Sequence, residues 1–124
     1  MLKARDIMTN RVITIQSLAT VAEALELMRK NQVHALVVDH SSPEDAYGIV
    51  TDEDIVYNVI AEGEDPVAVQ VYEVMVKPCV VVNPDLGVEF VAKLFANVGV
   101  RCAPVIQEKL LGIISVTDIL QKCG

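Results

Sequence analysis

Short β-branched runs and amphipathic helices alternate along the first half of the chain. Residues 12–15 are all β-branched and predict a strand. Thr20 and Glu23 have the spacing of a capping box and predict the start of a helix. Apolar residues recur at helical spacing behind this start and predict a face that packs on a core: Val21, Ala24, Leu25 and Met28. Strands at 35–38 and 48–51 follow, and then a second helix with the apolar positions Ile55, Val56, Val59 and Ile60.

The same order of elements occurs twice. The segment DIMT at residues 6–9 returns as EVMV at 73–76, an offset of 67 residues. The segment GIVT at 48–51 returns as GIIS at 112–115, an offset of 64. The difference of three residues falls in the polar loop 40–45, and surface loops tolerate such insertions. The chain is therefore a duplicated β-α-β-β-α unit.

The second copy predicts strands at 80–82, 103–106 and 111–115, and a last helix from about Thr117. Its first helix has a matching apolar face: Val88, Val91, Ala92 and Phe95. We therefore predict an α/β (α+β) fold of two tandem β-α-β-β-α repeats.

The duplication also sets the expected domain boundaries. Residues 1–62 form repeat 1, residues 63–69 a polar linker, and residues 70–124 repeat 2. A small sheet with helices on one side must bury its open face. We therefore expect the two copies to pack as a pseudo-twofold pair.

Composition agrees with one shared core and excludes some partners. The 124 residues are 52% apolar and 4% aromatic, without Trp, which suits a single domain rich in small aliphatic side chains. Ten Lys and Arg against 17 Asp and Glu give a net charge of −7, which argues against a nucleic-acid or anionic-membrane surface. The sequence has no run of 18 apolar residues, so it predicts no transmembrane span.

Three cysteines, Cys79, Cys102 and Cys123, occur without a C-x-x-C spacing. An odd number of isolated cysteines fits a reducing compartment and predicts a cytoplasmic protein without disulfides or a zinc site. We expect Cys79 and Cys102 to be small apolar filler, whereas Cys123 could be an exposed thiol.

A hydroxyl residue ends one strand of each copy and is followed three positions later by Asp: Thr51 with Asp54, and Ser115 with Asp118. This spacing is that of a helix capping box, which accounts for it without a ligand. It also places a hydroxyl and free N–H groups at a helix start, which suits a phosphate. The Asp could accept hydrogen bonds from a vicinal diol such as a ribose. Both interpretations stay open.

Equivalent positions before the middle strand of each copy hold His34 and Arg101. An isolated His or Arg is more often a solvated side chain, but their match across the repeat favours a site. Arg is a strong partner for phosphate. Residues 36–37 and 103–104 then offer an apolar wall for a flat base.

Together these motifs resemble a pair of CBS domains, the regulatory unit also called a Bateman module, in its single-pair bacterial and cyanobacterial form. The resemblance covers residues 2–122 and rests on the order and duplication of the opening DIMT, the strand with Arg101 and Pro104, and the two G-h-h-T/S-x-x-D segments. It implies a disc-like module that binds adenosyl ligands in clefts between the repeats. AMP, ADP and ATP are the usual ligands; S-adenosylmethionine and NAD are the alternatives.

For repeat 2 the resemblance implies that Asp118 binds the ribose, with Ser115 and Arg101 near the phosphate. The residues around the base would be Val81, Val82, Ala103, Pro104, Ile113 and Ile114.

For repeat 1 it implies the same roles for Asp54, Thr51 and His34. The residues around the base would be Ile13, Thr14, Leu36 and Val50. The sequence departs from the commoner family pattern at His34, where Arg is frequent, and at Val37, where Pro is frequent.

Charge favours the repeat 2 site. Residues 1–62 carry 5 basic and 10 acidic side chains, whereas residues 63–124 carry 5 and 7. Asp52 and Glu53 also crowd the helix start of repeat 1, where a phosphate would compete with them. Arg101 is charged at pH 7, while an ordinary His is mostly neutral. We predict that the Arg101 site binds nucleotide more tightly.

Function follows from what the sequence contains. Two His residues and no Walker A segment leave little for catalysis, so we expect no enzyme, no catalytic cofactor and no metal. The expectation is a regulatory module that senses an adenine nucleotide and acts on an unidentified partner protein. A ligand-free scaffold that dimerises and docks on another protein is the alternative. The resemblance also implies a homodimer.

Overall fold

The computed structural model describes residues 1–122. These residues fold as two compact units. The first unit is Ile13–Cys79, and the second joins Met1–Val12 to the chain from Val80 onward. Both units combine helices with a small sheet, so the mixed α+β class is confirmed. Cys123 lies outside the described residues.

The helices and strands follow the predicted order except for the strand predicted at 80–82, and a helix at Ala4–Ile7 and a turn at Val71–Glu73 are additional to it. In chain order they are α1 (Ala4–Ile7), β1 (Thr14–Ile15), α2 (Val21–Asn31), β2 (Ala35–Val38), β3 (Gly48–Thr51), α3 (Asp52–Ile55), a π-helical turn (Val56–Ile60), a 3-10 turn (Val71–Glu73), α4 (Val88–Val98), β4 (Cys102–Gln107), β5 (Lys109–Ser115) and α5 (Val116–Lys122). The longest helices have 11 residues, and no helix within residues 1–122 has the length and apolar character needed to cross a bilayer.

The first unit is built on a three-stranded sheet. Its middle strand β2 pairs in parallel with β1 and antiparallel with β3. Thr20 caps α2 by accepting a 3.1 Å hydrogen bond from the backbone N–H of Glu23. The predicted face of α2 is confirmed, because its apolar side chains join a core made of Ile15, Val21, Ala24, Met28, Leu36, Val38, Val50, Ile55, Val59, Val69 and Val71.

The second predicted helix of repeat 1 is irregular. The α-helix ends at Ile55, and the following five residues form the π-helical turn. Ile55 and Val59 are buried, whereas Val56 and Ile60 keep 49% and 52% of their surface exposed. The four apolar positions span more of the helix surface than the sheet covers, so only one side of it reaches the core.

The second unit repeats this arrangement. Strands β4 and β5 pair antiparallel, and Val82 forms a parallel bridge to Val105 in place of the longer strand predicted at 80–82. Helix α4 begins at Val88, with Gly87 as its N-cap, and buries the predicted face except for Ala92, which is exposed. The core consists of Ala4, Ile7, Val82, Val88, Val91, Phe95, Ala103, Val105 and Ile114.

The edge of each sheet pairs with a residue from the opening segment of the other repeat. Thr9 and Ile113 exchange two backbone hydrogen bonds of 2.8 and 2.9 Å, and Ile49 and Val76 exchange two of 3.0 and 2.9 Å. A Cβ at Gly112 would lie 2.7 Å from the carbonyl oxygen of Thr9, which explains why the strand needs glycine there. The repeats thus exchange their opening segments, and packing divides the chain differently from the repeat boundaries.

The loop that is longer in repeat 1 is tied by its own polar contacts. Lys77 Nζ donates a 2.7 Å hydrogen bond to Oδ2 of Asp45, and the N–H and hydroxyl of Ser41 donate to the same oxygen. The Lys77 ammonium holds the pKa of the Asp45 carboxyl well below its usual range. The insertion is therefore an ordered turn.

The C-terminal ends of the two long helices supply a matched test. Gln32 and Gly99 occupy equivalent left-handed positions with φ of 54° and 81°. A side chain in this conformation costs about 1–2 kcal/mol, which glycine avoids. We expect Gln32→Gly to raise the free energy of unfolding by about 1 kcal/mol and Gly99→Gln to lower it by a similar amount. Urea unfolding followed by circular dichroism measures both, and shifts of the same sign would contradict the assignment.

Candidate functional site

The T/S-x-x-D segments form reciprocal capping boxes in both units. In the first unit, Oδ2 of Asp54 accepts from the N–H and hydroxyl of Thr51 at 2.9 and 3.0 Å, and Asp54 N–H donates back at 3.2 Å. In the second, Oδ2 of Asp118 accepts from the N–H and hydroxyl of Ser115 at 3.0 Å each, with a return bond of 3.1 Å. One oxygen of each carboxylate therefore holds the start of its own helix.

The other carboxylate oxygen distinguishes the two units. Oδ1 of Asp118 accepts a 3.1 Å hydrogen bond from the hydroxyl of Thr9 and lies 3.1 Å from Nζ of Lys122. For Asp54, no donor among residues 1–122 hydrogen-bonds to Oδ1. Asp118 is correspondingly the more buried residue, with 9% of its surface exposed.

The basic candidates lie beside these helix starts. The backbone N–H of Asp52 donates to the carbonyl of His34 at 3.0 Å, and the N–H of Val116 donates to the carbonyl of Arg101 at 2.8 Å. The structure thus brings His34 close to Thr51, and Arg101 close to Ser115, at the same end of each sheet. Both basic residues are exposed.

The charge around the two helix starts differs. The first turn of α3 holds three acidic side chains, and Oδ2 of Asp52 lies 3.3 Å from Nδ1 of His34. The first turn of α5 holds one, Asp118. Acidic side chains stabilise a helix N-terminus, but they oppose a second anion there.

The alternation of side chains along the strands divides the predicted base contacts of repeat 1 between the two faces of the sheet. Successive side chains point to opposite faces, and Leu36 and Val50, paired in the register, both lie in the core. The opposite face, which ends at Thr51, holds Ala35, Val37 and Ile49. Ligand contact by the two core residues would therefore need the core to open.

The edge residues of this sheet are more accessible. Thr14 is exposed and pairs with Val37, and the carbonyl of Ile13 accepts the N–H of the same valine at 3.1 Å. Ile13 itself is partly buried against the core.

The predicted base contacts of the second unit are divided between the two sheet faces in the same way. Val82, Ala103 and Ile114 lie in the core. Cys102, Pro104 and Ile113 alternate with them on the face that ends at Ser115: the register pairs Cys102 with Ser115 and Pro104 with Ile113. Val81 is 48% exposed.

The sequence reasoning missed two groups of residues. Ala35, Ile49 and Cys102 share a sheet face with the hydroxyl residues, a relation that strict alternation from Thr51 and Ser115 could have revealed. Thr9 and Lys122 hold Asp118; the i,i+4 spacing signals Lys122, but nothing in the local sequence signals a contact across 109 positions.

The cysteines resemble packing residues. Cys79 and Cys102 are partly buried, and burial raises the pKa of the Cys79 thiol, which keeps it protonated at neutral pH. Within residues 1–122, no three His, Cys, Asp or Glu side chains come together as a metal site would need.

Comparison with known proteins gives one family. The family model described as CBS domain matches twice, over residues 4–61 and 71–123. An uncharacterized protein from Methanopyrus kandleri is 32% identical over 112 residues, which is 89% of this chain but 57% of that protein. The chain thus spans little more than half of this relative.

Solved structures agree with the fold. A hexameric CBS-CP12 protein from bloom-forming cyanobacteria is 57% identical, with a TM-score of 0.97 over 98% of this chain and 71% of that one. The CBS domain pair of protein MJ0100, in complex with 5′-methylthioadenosine and S-adenosyl-L-methionine, is 22% identical with a TM-score of 0.86, covering 100% of this chain and 97% of that one.

The two carboxylates allow a matched stability test. We expect Asp118→Ala to lower the free energy of unfolding by about 2–3 kcal/mol, because it removes the cap and the bonds from Thr9 and Lys122. Asp54→Ala removes only the carboxylate's half of the capping box, leaves Thr51 as the N-cap, and should cost about 1 kcal/mol. Urea unfolding of both variants measures the difference, and equal losses would show that the additional partners of Asp118 contribute nothing.

Proposed function

Because the chain belongs to the CBS domain family, we propose that it is a regulatory module that binds an adenosyl ligand and acts through a partner protein. The observation that supports this most is the recurrence, in both units, of one arrangement: a carboxylate and a hydroxyl at a helix start, beside a basic residue whose carbonyl accepts the first N–H of that helix. Capping requires the hydroxyl and the carboxylate, but it does not require His34 or Arg101 beside them.

The chemistry of the arrangement suits an adenine nucleotide. A carboxylate oxygen accepts from a ribose diol, a basic side chain pairs with a phosphate, and the exposed edge residues Thr14 and Val81 offer a surface for the base. AMP, ADP and ATP combine these three parts. The MJ0100 domain pair, which binds two adenosyl compounds, makes S-adenosylmethionine the second candidate. We place this function in the cytoplasm, where such ligands are made.

The Arg101 site is proposed as the tighter of the two for a phosphate-bearing ligand. Its guanidinium is permanently charged, and the first turn of α5 holds one acidic residue against three in α3. The imidazole of His34 lies 3.3 Å from the Asp52 carboxylate, which competes with a phosphate for it.

Nucleotide binding is tested by calorimetry and thermal unfolding with AMP, ADP, ATP and S-adenosylmethionine. A ligand selective for the folded chain raises its stability, by about 2.7 kcal/mol at one hundred times its dissociation constant. We expect Arg101→Ala to weaken AMP binding about tenfold and His34→Ala about twofold, since the guanidinium offers a phosphate a charged, bidentate partner that an imidazole does not.

The double variant Asp54→Asn/Asp118→Asn is the control, since it keeps the size of both side chains and removes both carboxylates. It should show no stabilisation by any of the four ligands. A larger loss from His34→Ala than from Arg101→Ala would reverse the ranking of the sites. No stabilisation of the wild-type chain at millimolar concentrations would favour the ligand-free scaffold.

Self-association is the second part of the proposal. Val56, Tyr57 and Ile60 form one face of the π-helical turn and remain 49%, 63% and 52% exposed. Such a cluster of exposed apolar side chains is typical of an interaction surface. The cyanobacterial relative with 57% identity is hexameric. We propose that this face contributes to a homodimer or a larger homo-oligomer.

Substitution on this face tests the assembly. We expect Tyr57→Glu to shift the chain toward monomer, because a buried, unpaired carboxylate opposes association. Light scattering after size-exclusion chromatography measures the mass. Val67→Glu is the matched control, since Val67 is 68% exposed and lies outside this face. Equal masses for the wild type and Tyr57→Glu would contradict the assignment of the face.

A further inference from the structure

Lys122 is engaged with the carboxylate to which the proposed function assigns the ribose. Its Nζ lies 3.1 Å from Oδ1 of Asp118 and donates a 3.0 Å hydrogen bond to the carbonyl of Ile7. The hydroxyl of Thr9 donates to the same Oδ1 at 3.1 Å. Since Ser115 occupies Oδ2, both oxygens of Asp118 have partners.

Asp54 provides an internal comparison. Its Oδ2 is occupied by Thr51 in the same way, but its Oδ1 accepts no hydrogen bond from residues 1–122. The repeat offsets place Val76 where the second unit has Thr9, and Asn58 where it has Lys122. The residue equivalent to Thr9 therefore has no side-chain donor, and the one equivalent to Lys122 has no charge.

This difference determines whether each carboxylate can accept a hydrogen bond from a diol directly. Asp54 can offer Oδ1 to an incoming hydroxyl directly, whereas Asp118 must first release one of its partners. Thr9 is fixed by its two backbone bonds to Ile113. Lys122 is 44% exposed on a flexible stem, and exposed i,i+4 ion pairs are weak. Lys122 is therefore the partner that can leave.

We propose that Lys122 competes with the adenosyl ligand for Asp118, so that binding at this site exchanges an internal ion pair for the ribose. The inference rests on the proposed function and concerns the regulation of the same site. Release of Lys122 also frees the carbonyl of Ile7, so occupancy of Asp118 loosens the contact between α5 and α1. Lys122 thus links the ligand to the opening segment of the chain.

The test uses the full chain and adenosine, which carries the diol but no phosphate, so that the lost charge of Lys122 cannot act through a phosphate contact. Asp54→Asn in every protein confines the diol to the Asp118 site. Calorimetry in this background compares Lys122→Met with Lys122→Arg and Lys93→Met. Lys93 is the matched control, because it forms an i,i+4 pair with Glu89 on α4 and its substitution removes the same charge.

We expect Lys122→Met to bind adenosine about fivefold more tightly, the size of effect that an exposed ion pair can exert. Lys122→Arg and Lys93→Met should bind like the parent. Without ligand, Lys122→Met should unfold at a lower temperature than the parent, so that affinity and stability change in opposite directions. A purely structural role of Lys122 would lower both.

Unchanged or weaker adenosine binding by Lys122→Met would overturn the inference while leaving the proposed function intact, because the parent still binds. Weaker binding would show that Lys122 supports the site instead of competing for it. If neither adenosine nor AMP binds the wild-type chain at millimolar concentrations, the proposed function fails, and this inference fails with it.

Discussion

Backbone pairing at the sheet edges is the constraint on which the rest of the structure depends. Thr9 closes the strand at Ile113, and Val76 closes the strand at Ile49. An unpaired edge would expose a row of N–H and C=O groups. Because the residue that pairs with each sheet edge belongs to the other repeat, neither repeat contains its own edge partner. Duplication therefore completes each sheet, which one copy of the sequence could not do for itself.

The same pairing determines which side chain from the opening segment lies beside each carboxylate. Thr9 reaches Asp118 because its backbone is fixed on Ile113, only five positions before that Asp. Val76 is fixed on Ile49 in the same way but brings no hydroxyl to Asp54. The two sites have matching capping boxes and differ in the segment that the other repeat supplies. The exchanged segment is thus one source of their divergence, and the helix that follows each capping box is the other, because Lys122 has Asn58 as its equivalent.

Local patterns predicted most of the fold but less of the site. Strands β2 and β3 match their predicted bounds, because a β-branched run between polar turns is a local signal. The pairing of Thr9 with Ile113, and with it the contact of Thr9 with Asp118, spans more than 100 positions and leaves no local trace. The resemblance names Leu36 and Ala103 as contacts of the base, but alternation turns both side chains toward the core. Backbone register therefore had to be known before a site face could be assigned.

Net charge describes these sites poorly, because surface charges are screened beyond about 8–10 Å at ordinary salt. An anion at either helix start responds to the nearest groups. Asp52, Glu53 and Asp54 are the acidic residues of the first turn of α3, whereas the single acidic residue at the start of α5 is paired with Lys122. The lysine that occupies Asp118 also neutralises it. In the proposed function, greater tolerance of a phosphate and reduced access for a ribose at the second site would therefore have one physical cause.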